Sequence, residues 1–358
     1  MARRAPNGPS GIVVIDKPAG LTSHDVVGKV RRLAHTRRVG HAGTLDPMAT
    51  GVLIVGVNKA TKLLTWITGE SKSYTATIRL GGTTHSDDFD GQLRWLCSSE
   101  HLKIIRDEDI IQQVQKLTGD IVQVPSSVSA IKVDGVRSYA RVHQGEDVKL
   151  AGRAVHVAEF KVLDVSRRMV KVADFARELS EELVSEYTPE TMAPVIDVQV
   201  EVSVSSGTYV RALARDLGQS LGTGGYLTQL RRTRIGTVNL EHSVSLEELA
   251  EQEETNGQIR LISLEDSVRA IFPSRTLLAE EATDISFGRA IKAASEDVAL
   301  YVAPEEPNNH PPVEGVEAVF APDGTLVALV KNQKKRGKVL SFPLLVWESG
   351  KIFEDQNA

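Results

Sequence analysis

The 358-residue chain contains a single cysteine, Cys97. One thiol cannot form an internal disulfide or a cysteine-based zinc site, so disulfide and cysteine–zinc scaffolds are excluded and a reducing compartment is expected. Long apolar runs are also lacking. The most apolar stretch, GVLIVGV at 51–57, is seven residues long, whereas a membrane helix needs about 20. Arg3 and Arg4 are not followed by an apolar segment of the signal-peptide kind. The expectation is a cytoplasmic protein with no membrane association. No H-E-x-x-H, Walker loop or solenoid-length repeat occurs. Aromatics are sparse at 5%, but 41% hydrophobic and 25% charged residues are ordinary for globular domains, which excludes disordered, collagen-like and fibrous classes.

What is present reads as an α+β protein of about two domains. GIVVID at 11–16 is a short apolar strand closed by Lys17-Pro18-Ala19-Gly20, and Thr22 and Ser23 offer caps for a helix to about Leu33. Strands are expected at 51–57, 73–80 and the alternating VIDVQVEVSV of 195–204. Helical spacing marks 107–118, with Ile110, Ile111, Val114 and Leu117 on one face, and a further helix is expected over about 209–218. We divide the chain into a main domain at 1–250, a glutamate-rich linker at 251–270 and a small β-rich domain at 271–358. In the last, Asp323-Gly324 signals a hairpin and Pro304–Pro312 a polar loop.

The net charge is −5, from 42 Lys+Arg against 47 Asp+Glu. The charge is segregated. Residues 1–72 carry 11 basic and 4 acidic side chains, and 205–240 carry five arginines against Asp216. Acids dominate 173–190 and 241–257, with six in each. Two basic blocks can face a polyanion while acids lie elsewhere; an unevenly solvated surface reads equally well.

One segment carries chemistry. In GHAGTLDPMATG at 40–51, Gly40, Gly43, Gly51 and Pro47 flank a lone carboxylate, Asp46, just after Arg37 and Arg38. Glycines permit close backbone approach, and Pro47 biases Asp46 toward extended geometry. A rigid loop holding one acid in a positive field suits nucleophilic or acid–base work on an anionic substrate. An Asp-Pro turn start explains the same residues.

This segment closely resembles the catalytic motif of the TruB family of tRNA pseudouridine synthases, and further matches follow in the family's order over 11–240. GIVVIDKPAG at 11–20 resembles the lysine-proline motif. Lys72-Ser73-Tyr74 with Arg79-Leu80-Gly81 resembles the active-site tyrosine segment, and 125–132 (PSSVSAIK) the RNA-gripping thumb. SSGTYVR at 205–211 resembles the arginine motif, and Leu230-Arg231-Arg232 the leucine-arginine motif. The resemblance implies a pseudouridine synthase fold: a central mixed, mostly antiparallel sheet with flanking helices, a thumb at about 125–152 and a C-terminal PUA-like RNA-binding β-domain. It implies a stand-alone, monomeric enzyme that converts uridine 55 in the T-arm of tRNA to pseudouridine, without cofactor, metal or protein partner.

By the same resemblance Asp46 is the catalytic carboxylate, attacking the sugar or removing a sugar proton, and Arg211 keeps it ionised. Arg211 reads otherwise as a phosphate contact. Tyr74 stacks on the flipped base, with a proton-transfer role open to its hydroxyl. Tyr209 and Leu230 shape the pocket, and His41 fills the place that the base leaves. Lys17 supports the pocket or touches phosphate. Arg231, with Arg232, Arg234 and the basic residues Lys29, Arg31, Arg32, Arg37 and Arg38, contacts phosphates, which gives affinity more than sequence choice. The chain departs from the pattern at Val142-His143 in the thumb, at Tyr226, where the family often has histidine, and at His85. Segment 173–190 reads as an insertion. The competing readings are a tRNA-folding protein with secondary catalysis, a guide-RNA-dependent subunit, and an aspartate glycosidase, which would need a second carboxylate that the sequence does not reveal.

Overall fold

The computed structural model describes residues 8–126, 151–303 and 311–354, together with the backbone of a two-stranded ladder, Lys132–Val133 against Val136–Arg137. Most of the expected thumb, with Val142 and His143, and most of the Pro304–Pro312 loop lie outside the described residues.

The apolar run Gly11–Lys17 pairs antiparallel with Thr50–Val57 along its whole length. From these two a long sheet extends. Its strands lie in the spatial order Ile262–Ser263, Gly11–Lys17, Thr50–Val57, Gly225–Ile235, Lys72–Leu80, Met192–Val204, Arg153–Lys171 and Gly119–Gln123. The one parallel junction on this path joins Thr50–Val57 to Gly225–Ile235 through Arg231↔Thr50 and Arg232↔Gly51. The sheet is thus mixed and mostly antiparallel, as expected. The junction requires a glycine at 51: its φ is +100°, and a Cβ there would meet the Arg232 carbonyl oxygen at 2.1 Å.

Helices cover the sheet where apolar spacing allows. Ser23–Leu33 begins on a capping box between Thr22 and Asp25, and buries Val26, Val27 and Val30 against Ile15, Leu53 and Val55. Val210–Ser220 buries Leu213, Ala214 and Leu217 against Ile78, Val198 and Leu227 in the middle of the sheet. This places the start of that helix, with Arg211 in its first turn, beside the ends of strands 72–80 and 225–235.

A separate five-stranded sheet runs, in spatial order, Ser274–Thr276, Val316–Phe320, Leu326–Lys335, Lys338–Val346 and Ile291–Lys292. The Asp323-Gly324 hairpin is there, with Gly324 at φ +82° and the Asp323 carboxylate accepting from the Thr325 amide. The two bodies share a core of Trp66, Leu63 and Ile67 with Phe272, Leu329 and Trp347.

One expectation needs correction. Segment 251–270 is not a linker. It holds most of the helix Leu246–Asn256 and of the helix Leu264–Ile271, and strand Ile262–Ser263 pairs with Gly11–Ile12 at the sheet edge. Its glutamates hid this, because they occupy the solvent side while Leu249, Leu264 and Val268 are buried. Segment 173–190 lies between the strands Arg153–Lys171 and Met192–Val204, where an insertion was expected, and carries structure of its own. Glu178–Leu179 adds a parallel strand to Gln92–Leu96, which pairs with Gly82–Thr84, and Phe175, Ala176 and Leu183 form a small core with Leu93, Val170 and Val195.

Candidate active site

Asp46 sits in a loop that buried groups hold on both sides. Arg232 is 0% exposed. Its guanidinium donates to the carbonyls of Gly43 (3.0 Å), Thr44 (3.3 Å) and Val52 (2.8 Å). The Ser23 hydroxyl accepts from the Leu45 amide at 2.9 Å and lies 3.1 Å from the Leu45 carbonyl. Past the aspartate, Lys17 donates to the carbonyls of Pro47 (3.2 Å), Leu21 (2.7 Å) and Pro18 (2.9 Å). Each of these groups fixes backbone polar atoms that a glycine- and proline-rich loop cannot pair within itself. Burial pushes the Lys17 ammonium down to about 8, opposed by the Asp46 carboxylate.

Arg211 meets Asp46 from the helix start. Nε lies 2.9 Å from Oδ2, and Nη2 donates to Oδ1 at 3.1 Å, a two-pronged pair. The arginine is 5% exposed, and the Asp46 side chain is 32% exposed. On its far side Nη1 donates to the Ser86 carbonyl at 2.8 Å and approaches Asp88 Oδ2 at 3.5 Å. Burial alone would lower the basicity of Arg211; Asp46, Asp88 and Asp87 outweigh it and raise it. Burial raises the Asp88 carboxyl, and Arg211 opposes that rise.

Around the pair lies a cavity of about 290 Å³ lined by Gly43–Asp46, Thr68, Lys72, Tyr74, Ser206–Arg211, Leu230 and Arg232. Tyr74 and Leu230 come from adjacent strands and give an aromatic face and an apolar floor. Desolvation raises the Tyr74 phenol, against the pull of Arg232. Tyr209 is the N-cap of the helix, and its backbone is clamped by Gln123, which donates to its carbonyl (3.1 Å) and accepts from its amide (2.8 Å). Lys72 closes one wall, donating to the carbonyls of Thr68 and Glu70, and burial, with Arg232 nearby, pushes it down to about 8.

The structure thus gathers Asp46, Arg211, Tyr74, Tyr209 and Leu230 around one cavity. The other expected site residues lie elsewhere. Lys17 is 0% exposed beneath the loop, which removes the phosphate-contact alternative and leaves pocket support. His41 is not among the cavity's lining residues. It packs edge-on against His24 at 5.5 Å, and burial pushes it down to about 4. Arg231 points away from the cavity and pairs with Asp16 at 2.7 and 2.9 Å. Arg232 is a buried loop clamp and contacts no solvent. Alternation along the strand explains this: positions 230 and 232 share the cavity side, and 231 takes the other. Sequence reasoning missed Asp88 and Ser86, and it gave Lys72 no role of its own. Asp88 carries no motif of its own, and its proximity to Arg211 spans 123 residues. It is a second carboxylate near Asp46, but it is 5% exposed behind Arg211 and does not line the cavity. The open flank that a two-carboxylate glycosidase needs is not formed by this pair.

The fold is that of the pseudouridine synthases. A solved H/ACA ribonucleoprotein bound to a substrate RNA containing 2′-deoxyuridine superposes with a TM-score of 0.59 at 22% identity, over 96% of this chain and 87% of that one. An archaeal box H/ACA complex superposes with a TM-score of 0.60 at 20% identity, over 96% and 88%. Residues 31–210 match the family model for the TruB family pseudouridylate synthase N-terminal domain. Residues 211–271 match the tRNA pseudouridylate synthase B C-terminal domain, and 272–341 the tRNA pseudouridine synthase II C-terminal model. The chain belongs to the TruB family of pseudouridylate synthases. It is 51% identical to the tRNA pseudouridine synthase B of Arthrobacter sp. (strain FB24), over 90% of this chain and 93% of the relative. To that of Mycobacterium leprae (strain TN) it is 45% identical, over 94% and 92%.

Proposed function

We propose that this chain isomerises uridine 55 in the T-arm of tRNA to pseudouridine, as a monomer acting in the cytoplasm without a guide RNA or protein partner. The observation that carries the reading is the Asp46–Arg211 pair, clamped at the floor of a cavity beside Tyr74 and Leu230. The reaction breaks the C1′–N1 bond, turns the uracil, forms C1′–C5 and moves the C5 proton away while N1 gains one. No atom of the nucleoside is lost. The two-pronged arginine fixes the orientation of the Asp46 carboxylate at the cavity, where it serves either attack on C1′ of the sugar or removal of a sugar proton. The target base must first leave its stack, at a cost of about a few kcal/mol. Tyr74 stacking, the Leu230 floor and His41, filling the vacated place in the RNA, offset that cost. Lys17 and Arg232 act by fixing the loop.

Arg31, Arg32, Arg37 and Arg38 are exposed on and after helix Ser23–Leu33 and supply phosphate contacts, with Arg231 at the edge. The C-terminal sheet is an RNA-binding domain on the same reading. Its hairpin tip, KNQKKRGK at 331–338, carries five cations and no acid. Lys331 lies 5.7 Å from the Tyr301 ring and Lys335 5.4 Å from the Phe342 ring, a mixture of charge and aromatic faces that suits a polynucleotide. This grip is independent of Asp46, so a tRNA-folding role can coexist with catalysis.

The test is to incubate the purified chain with unmodified tRNA transcript and no guide RNA, and to map pseudouridine. Product at the T-arm uridine is expected, and its absence sinks the reading. Product that survives Asp46→Asn sinks the assignment of the carboxylate.

A further inference from the structure

Three features lie outside that reading: insertion 173–190, the buried Tyr226, and the loop 85–91 that reaches Arg211 from behind. The structure joins them. Loop 85–91 connects strands Gly82–Thr84 and Gln92–Leu96, and its residues Ser86 and Asp88 hold Nη1 of Arg211. The loop is costly to keep in place. Asp87 has φ +59°, a conformation that a side-chain-bearing residue holds only when its surroundings over-determine it. Internally, Ser86 and the Asp90 amide donate to the Asp88 carboxylate.

Externally the loop is gripped from two sides. On one side is strand Gly225–Ile235: the Phe89 amide donates to the Leu227 carbonyl at 2.8 Å, and the Leu227 amide to the Asp87 carbonyl at 3.1 Å. On the other side is the insertion. The Arg177 amide donates to the Phe89 carbonyl at 3.1 Å, Arg177 Nε lies 2.7 Å from Asp90 Oδ1, and Glu178–Leu179 pairs with Gln92–Leu93 just past the loop. The insertion is itself tied to the central strand by Tyr226, which is fully buried and whose hydroxyl donates to the Phe175 carbonyl at 2.6 Å. Arg79 adds a donor to the Asp174 carbonyl at 2.9 Å and is anchored by Asp197.

We propose that insertion 173–190, fastened by the Tyr226 hydroxyl and gripping the Phe89–Asp90 end of the loop through Arg177, is a brace that fixes Ser86 and Asp88 and thereby the guanidinium of Arg211. Tyr226 and Arg177 are positioning residues. Neither lines the Asp46 cavity, so their influence on the reaction passes through the loop. The proposal rests on the functional reading above.

The test measures single-turnover pseudouridine formation and tRNA affinity for Tyr226→Phe, which removes one hydroxyl, and for Arg177→Ala on the exposed side of the brace. A lost hydrogen bond of this kind corresponds to a rate about three- to tenfold slower, with affinity unchanged. Arg177→Lys is expected to recover part of the rate, because it restores a cation beside Asp90. In an Asp88→Asn background, Tyr226→Phe and Arg177→Ala should have little further effect, since the brace would no longer have that carboxylate to place. Equal losses in both backgrounds overturn the proposal, as do an unchanged rate or a fall in affinity that matches the fall in rate. If Tyr226→Phe is too unstable to assay, Arg177→Ala and Arg177→Lys decide alone. A wild-type chain that makes no pseudouridine refutes the functional reading, whereas an active wild type with unaffected variants refutes only the brace.

Discussion

The basic residues around Asp46 and those of the C-terminal hairpin serve opposite ends. Around Asp46, Lys17, Lys72, Arg211 and Arg232 are all buried, and their protons go to backbone carbonyls and carboxylates. At the hairpin tip, Lys334, Lys335, Arg336 and Lys338 are exposed. Both groups count equally in the net charge. Only the second has charge left over for a polyanion, because a cation removed from water must be matched by protein partners. The basic blocks of the sequence are therefore partly a scaffold for the active loop and only partly an RNA-binding surface.

That contrast can be broken experimentally. The largest effect is expected at the pair itself: Asp46→Asn should leave no detectable pseudouridine while tRNA still binds, which product mapping and filter binding would show. Arg211→Lys keeps the charge and loses the planar fork, so we expect a rate about 100-fold slower with affinity within about twofold. Equal losses of rate and affinity would make Arg211 a phosphate contact after all.

Arg232→Met should lower stability by about 3 kcal/mol or more, because the carbonyls of Gly43, Thr44 and Val52 lose their buried donor. Denaturant melts check this. The slope of log affinity against log salt should not change in any fraction that remains folded.

Lys17 links the contrast to pH. Its folded pKa of about 8 lies below the 10.5 of an ordinary lysine, so from about pH 8 to 10.5 the unfolded chain binds more protons and the contribution of Lys17 to stability rises with pH. Deprotonation nevertheless removes one of its three donors from the carbonyls around the loop. The single-turnover rate should therefore fall above about pH 8 while the stability of wild type relative to Lys17→Met rises. A rate that stays flat to pH 10 contradicts the clamp.

The smallest effect belongs to the hairpin. Lys335→Ala with Lys338→Ala should weaken tRNA binding by about three- to tenfold, flatten the salt slope by about one to two and leave the single-turnover rate unchanged. An unaltered salt slope would mean that these lysines are merely solvated.

Much of the architecture was legible in the sequence. The cap at Thr22, the alternation of 195–204 and the Asp323-Gly324 turn act within a few residues, and the structure repeats them. Strand Gly225–Ile235 was not read as a strand, although it is central. Its buried cation Arg232 and exposed Gln229 disguise the apolar pattern by which a central strand is normally recognised. Strand Arg153–Lys171 was missed too. It is largely exposed and polar, and irregular in register at two places. The glutamates of 251–270 suggested a linker and those of 173–190 an insertion without evident role, while single buried residues such as Leu264 and Phe175 hold those segments to the body.

By itself the sequence marked out the loop around Asp46 with its glycines, and its resemblance to the family pointed to Arg211 as the arginine that meets the carboxylate, because a long motif constrains both backbone conformation and chemistry. Only the tertiary structure decided which of the adjacent residues Arg231 and Arg232 faces the cavity, that Lys17 lies beneath the loop, and that Ser86 and Asp88 hold the far side of Arg211. Those outcomes depend on strand register and on contacts between separate segments, 30 residues apart for Lys17 and Pro47 and more than a hundred for Arg232 and Arg211. The hydrogen bonds that fix them belong to no local pattern that a reader of the chain could count.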